Sequence, residues 1–84
     1  MQSCLIIPCH NEAHRLDRKA VEAFIQSTPT IDLMMVDDGS VDSTAEVLQA
    51  LKSTTSDRLH VLCLASNQGK AEAVRAGVQA ALAL

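Results

Sequence analysis

Three polar clusters, each directly after a short apolar run, hold the residues of this chain best suited to chemistry. Asp37-Asp38-Gly39-Ser40 follows Ile31 to Val36. Adjacent carboxylates behind a buried strand raise each other's pKa and are unfavourable unless something binds them. Such carboxylates can accept hydrogen bonds from a base N–H or a ribose hydroxyl, or ligate Mg2+ or Mn2+, hard cations that prefer oxygen. The same four residues also suit a capped turn with solvated acids ahead of a helix. Pro8-Cys9-His10-Asn11-Glu12 follows Leu5-Ile6-Ile7. Pro8 ends the strand, His10 can stack on a flat base or donate a hydrogen bond, and Glu12 adds an acceptor; an ordinary polar loop fits as well. Asn67-Gln68-Gly69-Lys70 follows Val61 to Leu64. Gly69 frees the backbone at a helix N-terminus, which attracts anions, and Lys70 and Arg75 add positive charge. This cluster lacks the spaced glycines and the Ser/Thr after Lys of a Walker A loop, and no G-x-G-x-x-G occurs. A plain helix start with solvated Lys70 and Arg75 remains open.

Other chemistries are poorly supported. Cys9, His10 and His14 lack a second group at zinc-ligand spacing. No Ser-His-Asp arrangement can be argued from one strand-end His and scattered serines. Cys9 reads as a strand-end thiol rather than a nucleophile.

The elements that position these clusters alternate strand, polar loop and helix three times. That order is the start of a parallel sheet with helices on its faces, an α/β fold of three layers, β-α-β-α-β-α. Ligands of such sheets bind beyond the carboxyl ends of the strands, so all three clusters are expected at one sheet edge. Strand one is expected from Ser3 to Pro8, a continuous apolar run as in buried parallel strands. Asp17 is the expected N-cap of helix one; Leu16, Ala20, Val21, Phe24 and Ile25 give its apolar face, and Pro29 stops it. Strand two is expected from Ile31 to Val36. Ser43 and Glu46 form a capping box for helix two, with Asp42 adding negative charge at its start. Val47, Leu48 and Leu51 form the inner face, and Ser53 to Asp57 a polar loop. Strand three is expected from His60 to Ala65. Helix three starts at Gly69 or Lys70, with Val74, Gly77, Val78, Ala81 and Leu82 packed on the sheet.

At 84 residues the chain is one small domain at most, and doubly wound α/β domains usually need about 100–150 residues or more. It reads as the front part of a larger domain. Its net charge of −3 and single aromatic, Phe24, disfavour nucleic acid, which calls for a basic surface and stacking rings. Cys4, Cys9 and Cys63 are odd in number without paired spacing, which fits a reducing, cytoplasmic compartment. Met1-Gln2-Ser3 leads straight into a strand with no signal peptide, and no apolar run approaches the ~20 residues of a membrane span. The marginal core is expected to leave apolar surface on helix three, favouring self-association.

In order and spacing, the three clusters resemble the amino-terminal half of an inverting family 2 glycosyltransferase of the GT-A fold. The resemblance lies in Ile6-Ile7-Pro8-Cys9-His10-Asn11-Glu12, in Val36-Asp37-Asp38-Gly39-Ser40-Val41-Asp42-Ser43-Thr44, and in Asn67-Gln68-Gly69-Lys70-Ala71 through Ala73-Val74-Arg75-Ala76-Gly77. It spans nearly the whole chain and is similar in flavour to polyprenyl- and dolichyl-phosphate sugar synthases. It implies an incomplete Rossmann-like half, residues 1–84, that binds a UDP- or GDP-linked sugar. Pro8, His10 and Glu12 would line the nucleotide pocket. Asp37 or Asp38 would contact the base or ribose, Asp37 being favoured, with Gly69 and Lys70 beside the nucleotide. Such enzymes displace at the anomeric carbon with inversion, a divalent metal offsets charge on the leaving diphosphate, and a carboxylate base activates the acceptor. The full-length parent would use Mg2+ or Mn2+ and could act on a membrane lipid acceptor at the cytoplasmic face. The family often has Tyr at His10 and Gly at Ala71. Its metal-binding Asp-x-Asp lies beyond the third helix, and no Asp follows Asp57 here. The 84 residues are therefore expected to carry no catalytic residue and no metal, and to be inactive alone. A non-catalytic nucleotide-binding module, or a structural α/β piece completed by another chain, stays open.

Overall fold

The computed structural model describes residues 3–84. Strands β1 (Ser3–Cys9), β2 (Ile31–Asp38) and β3 (Leu59–Leu64) alternate with helices α1 (Arg18–Ser27), α2 (Thr44–Thr54) and α3 (Lys70–Leu82). The strands form one parallel sheet in the order β1-β2-β3. Central β2 is buried from Leu33 to Asp38, the condition under which a strand reads as a continuous apolar run.

Side chains alternate between the two faces. Cys9, Leu33, Met35 and Leu59 pack with Ile25 of α1 and with Leu48 and Leu51 of α2. Met34 and Val36 pack with Ala73 and Ala81 of α3 on the opposite face. The first two helices thus share one side, and α3 lies across β1 and β2 on the other. At the sheet's amino end, His60 and Asp32 meet at 2.8 Å on the α3 face.

Asp17 caps α1, its Oδ1 accepting the Ala20 amide at 3.0 Å, and the helix ends at Ser27, just before Pro29. Leu16, Val21 and Phe24 pack on the core beside Ile25, whereas Ala20 is exposed. Arg58 holds the other end of α1 against the sheet. Its guanidinium donates to the carbonyls of Thr28 at 2.8 Å, Ile31 at 2.7 Å and Ile25.

Several expectations need correction. Pro8 does not end β1, which pairs on through Cys9↔Asp37, and β3 starts at Leu59 and ends at Leu64. β2 continues through Asp37 and Asp38, because its ladder runs on through Cys9↔Asp37 and Asp38↔Leu64. The capping box does not form: Ser43 makes no side-chain cap hydrogen bond; the amide held at this helix start is that of Thr44, accepted by Asp42 at 2.9 Å. Ser53 and Thr54 belong to the last turn of α2. On α3 the buried residues are Ala73, Gly77 and Ala81, while Val78 and Leu82 are 42% and 80% exposed. The reason is close approach. A Cβ on Gly77 would lie 2.7 Å from Ile6 Cγ2 and 2.8 Å from Val36 Cγ2, so only the smallest side chains fit beneath the helix.

Candidate functional site: a cleft at the carboxyl edge of the sheet

The chain leaves β1, β2 and β3 at the same edge, and the three loops that follow lock together there. The first and third meet at His10. A carbonyl can only accept, so the 2.9 Å contact between His10 Nδ1 and the Asp38 carbonyl places the ring proton on Nδ1. Nε2 is then the acceptor for the Asn67 amide at 3.1 Å.

The second and third loops meet through Asp38, which is 3% exposed. Its two carboxylate oxygens accept the amides of Gln68 at 2.8 Å and Gly69 at 3.1 Å. The partial positive charge at the start of α3 is thereby matched by a buried anion from the neighbouring strand. Gly39, with φ +61°, brings the two loops into backbone contact: a Cβ there would stand 2.2 Å from Ser66 C and 2.3 Å from Asn67 N. Gly69 has φ +91° but open space around it.

The first and second loops meet through four side chains. Asn11, at φ 53°, donates its amide to Ser40 Oγ at 2.9 Å and accepts the Val41 amide on Oδ1 at 3.0 Å. Thr44 Oγ1 accepts the Glu12 amide at 2.8 Å and donates to Asp42 Oδ1. Asp42 Oδ2 accepts the Ala13 amide at 3.4 Å. The Thr44 hydroxyl, followed by the backbone amides of Thr44 and Ala13, holds the Asp42 carboxyl below its ordinary pKa.

An open cleft of about 320 Å³ lies among these loops, lined by Pro8, Cys9, His10, Glu12, Asp38, Asn67, Gly69 and Lys70. That is near the lower end of the size usual for small-molecule sites. Six of the seven residues singled out from sequence line it. Asp37 does not: it is 3% exposed, and its Oδ1 accepts the Ser40 amide at 3.2 Å behind the cleft. Asn67 and Cys9 are the additions. Asn67 lay inside a flagged cluster, but its contact with His10 has no local sequence signal.

Charge in the cleft is divided. Asp38 is hydrogen-bonded to the two amides it holds, and Glu12 pairs with Arg15 at 3.3 Å. Among the described residues no carboxylate pairs with Lys70, which stands at the first position of α3. A phosphate entering here would meet this ammonium, while the Gln68 and Gly69 amides already serve Asp38. Burial, then the charges of Glu12 and Asp37, push the Cys9 thiol up to about 11, so at neutral pH it is a protonated wall. No group of three or more His, Cys, Asp and Glu residues among those described is arranged to hold a metal ion.

Residues 4–83 match the family described as glycosyl transferase family 2. The chain is 36% identical over 86 residues to the dolichyl-phosphate beta-glucosyltransferase of Mus musculus, covering 92% of this chain and 26% of that protein. It is 33% identical over 76 residues to the polyprenol monophosphomannose synthase of Mycolicibacterium smegmatis, covering 90% of this chain and 28% of that one. It therefore spans about a quarter of the length of these relatives. Among solved structures, a mannosyltransferase of Pyrobaculum calidifontis in complex with GDP-Man and Mn2+ superimposes with a TM-score of 0.79 at 23% identity, over 94% of this chain and 24% of that one. The alternating parallel sheet is thus a partial Rossmann-like GT-A fold, and the chain belongs to glycosyl transferase family 2.

Proposed function

We propose that residues 1–84 are the donor-binding part of a glycosyltransferase domain. That enzyme would move a sugar from a nucleoside diphosphate sugar to an acceptor hydroxyl or phosphate, with inversion at the anomeric carbon. The observation that carries the reading is the convergence of Pro8, His10, Glu12, Asp38, Gly69 and Lys70 on one cleft. Pro8 and the His10 ring supply flat apolar surface for a base. Glu12 and Asp38 supply acceptors for base N–H or ribose hydroxyl groups, with Asp37 bracing the turn behind them. Lys70 supplies the cation for the diphosphate.

Bond breaking belongs to other parts of the full protein in this reading. The acceptor base and the ligands of Mg2+ or Mn2+ lie outside the described residues. The relatives' names point to a polyprenyl-phosphate acceptor, which would put the protein at the cytoplasmic face of a membrane; no described helix is long and apolar enough to cross one.

Calorimetric titration of the protein with UDP and with GDP tests the reading. Saturable binding of one of them is expected, weakened about tenfold by Lys70→Ala, the loss of a charge-assisted contact. The 84-residue chain should bind donor yet transfer no radiolabelled sugar. Absence of saturable binding to either diphosphate, or transfer by the chain alone, would refute it.

A further inference from the structure

The strand ladder ends at Cys9 and Asp38, so no sheet hydrogen bond fixes the backbone that carries His10 and Glu12. The Glu12 carbonyl closes a local turn with the Arg15 and Leu16 amides and the His10 ring meets the Asp38 carbonyl and Asn67; the backbone amides of this stretch are held by side-chain chemistry from the second loop. Thr44 is 0% exposed, although it is the first residue of a helix, where threonine is ordinarily solvated. Its hydroxyl proton goes to Asp42. The oxygen's acceptor capacity is thereby aimed at the Glu12 amide, 2.8 Å away. Asp42 in turn takes the next amide, Ala13. Asn11 adds an independent link from the other side of Glu12, using its side-chain oxygen on Val41 and its amide on Ser40.

We propose that Thr44, oriented by Asp42 and seconded by Asn11, is a positioning residue for the cleft. It touches no ligand; it sets the path of residues 10–13 and so the places of His10 and Glu12. The proposal rests on the donor-cleft reading for its functional consequence, but the latch itself has a consequence without any ligand. A half-buried Glu12 amide held by one acceptor exchanges its proton chiefly when the latch opens. Apparent affinity falls in proportion to the fraction of molecules whose loop is in place.

Thr44→Val keeps the volume and removes the oxygen; Thr44→Ser keeps the oxygen. Two measurements decide. Amide hydrogen exchange by NMR should speed up at Glu12 and Ala13 about tenfold in Thr44→Val, the loss of one half-buried hydrogen bond, and stay near wild type in Thr44→Ser. Binding of the nucleoside diphosphate that the wild type takes should weaken about tenfold in Thr44→Val, with recovery in Thr44→Ser. Unchanged exchange at Glu12, or unchanged affinity in a folded Thr44→Val protein, overturns the proposal. Should Thr44→Val fail to fold, Asn11→Gly carries the test. Asn11 is exposed and glycine accepts its positive φ, so the unfolding midpoint should hold while affinity drops about threefold; equal affinity overturns the proposal. If the wild type binds no nucleoside diphosphate, the donor-cleft reading fails, and Glu12 exchange alone decides whether the latch exists.

Discussion

Replacing Gly39 by Ala should damage this protein more than any other single methyl added at a glycine outside a helix. Two independent penalties meet there. The φ of +61° is the left-handed region, where a residue with a Cβ loses about 1–2 kcal/mol. The added carbon would also sit 2.2 Å from Ser66 C and 2.3 Å from Asn67 N. Those are main-chain atoms just before α3, next to the Gln68 and Gly69 amides that Asp38 holds, so they cannot rotate away as a side chain could. Forcing them apart is an overpacking strain of about 1–3 kcal/mol. Together the loss is about 2–5 kcal/mol, against a total of roughly 4–12 kcal/mol for a domain of this size. Urea unfolding followed by circular dichroism reads it directly. With a slope near 1 kcal/mol/M for so small a protein, the midpoint should fall by about 2 M or more. Gly69→Ala is the internal control: φ +91° with ψ 156° is backbone space open essentially to glycine alone, at a cost of about 1–3 kcal/mol for a residue with a Cβ, but nothing lies within 4 Å of the new carbon, so no overpacking adds to it. If Gly39→Ala is no worse than Gly69→Ala, the backbone contact between the second and third loops is not there, and the geometry of the cleft floor is wrong.

Two further outcomes follow from named contacts. Arg58→Ala removes the donor shared by the carbonyls of Thr28, Ile31 and Ile25 and should lower stability by about 2–3 kcal/mol, with Arg58→Lys intermediate because one ammonium cannot span all three; urea midpoints check this. The Cys9 thiol, raised from 9.0 to about 11, gives a signed pH effect. Below pH 9 both folded and unfolded chains keep this proton and Cys9 contributes no slope. Between pH 9 and about 11 the unfolded chain loses it first, so stability falls as pH rises, and Cys9→Ala should flatten that limb in denaturation curves taken across the range.

The order of elements was legible because parallel strands and amphipathic helices leave different spacings, and the cleft was legible because β-α loops of a parallel sheet share one edge. What escaped were choices made in three dimensions. Val78 and Leu82 fit the α3 stripe by periodicity, but the helix lies too close to Ile6 and Val36 for anything larger than alanine. Size overrides apolarity there and turns the helix so that Ala73, Gly77 and Ala81 face inward. Polarity suggests an end to β2 at Val36, whereas backbone pairing is indifferent to side-chain charge and runs on to Asp38. Ser43 and Glu46 had the capping spacing, yet the Ser43 side chain makes no cap hydrogen bond, and the helix start is held one residue earlier, by Asp42 on the Thr44 amide and hydroxyl. Arg58 carries no local signal, since its partners lie 27 to 33 residues away.

Adjacent carboxylates at a strand end were expected to need a ligand because like charges in one place repel. Strand geometry supplies another answer for Asp37 and Asp38. Successive side chains leave opposite faces of a sheet, so the two carboxylates diverge, and each meets its own backbone amides. Asp37 turns toward the α1 and α2 side and closes the turn at Ser40. Asp38 turns toward α3 and holds the amides of Gln68 and Gly69. The pair is therefore satisfied without any ligand, and each member fixes a different loop of the cleft. Acceptors for an incoming nucleoside must then come from the capacity that remains. A carboxylate has about four acceptor sites; Asp38 has committed two and borders the cleft, whereas Asp37 is buried behind it. That difference makes Asp38→Asn the substitution expected to weaken both the α3 anchor and nucleotide affinity, and Asp37→Asn the one expected to act on the Ser40 turn alone.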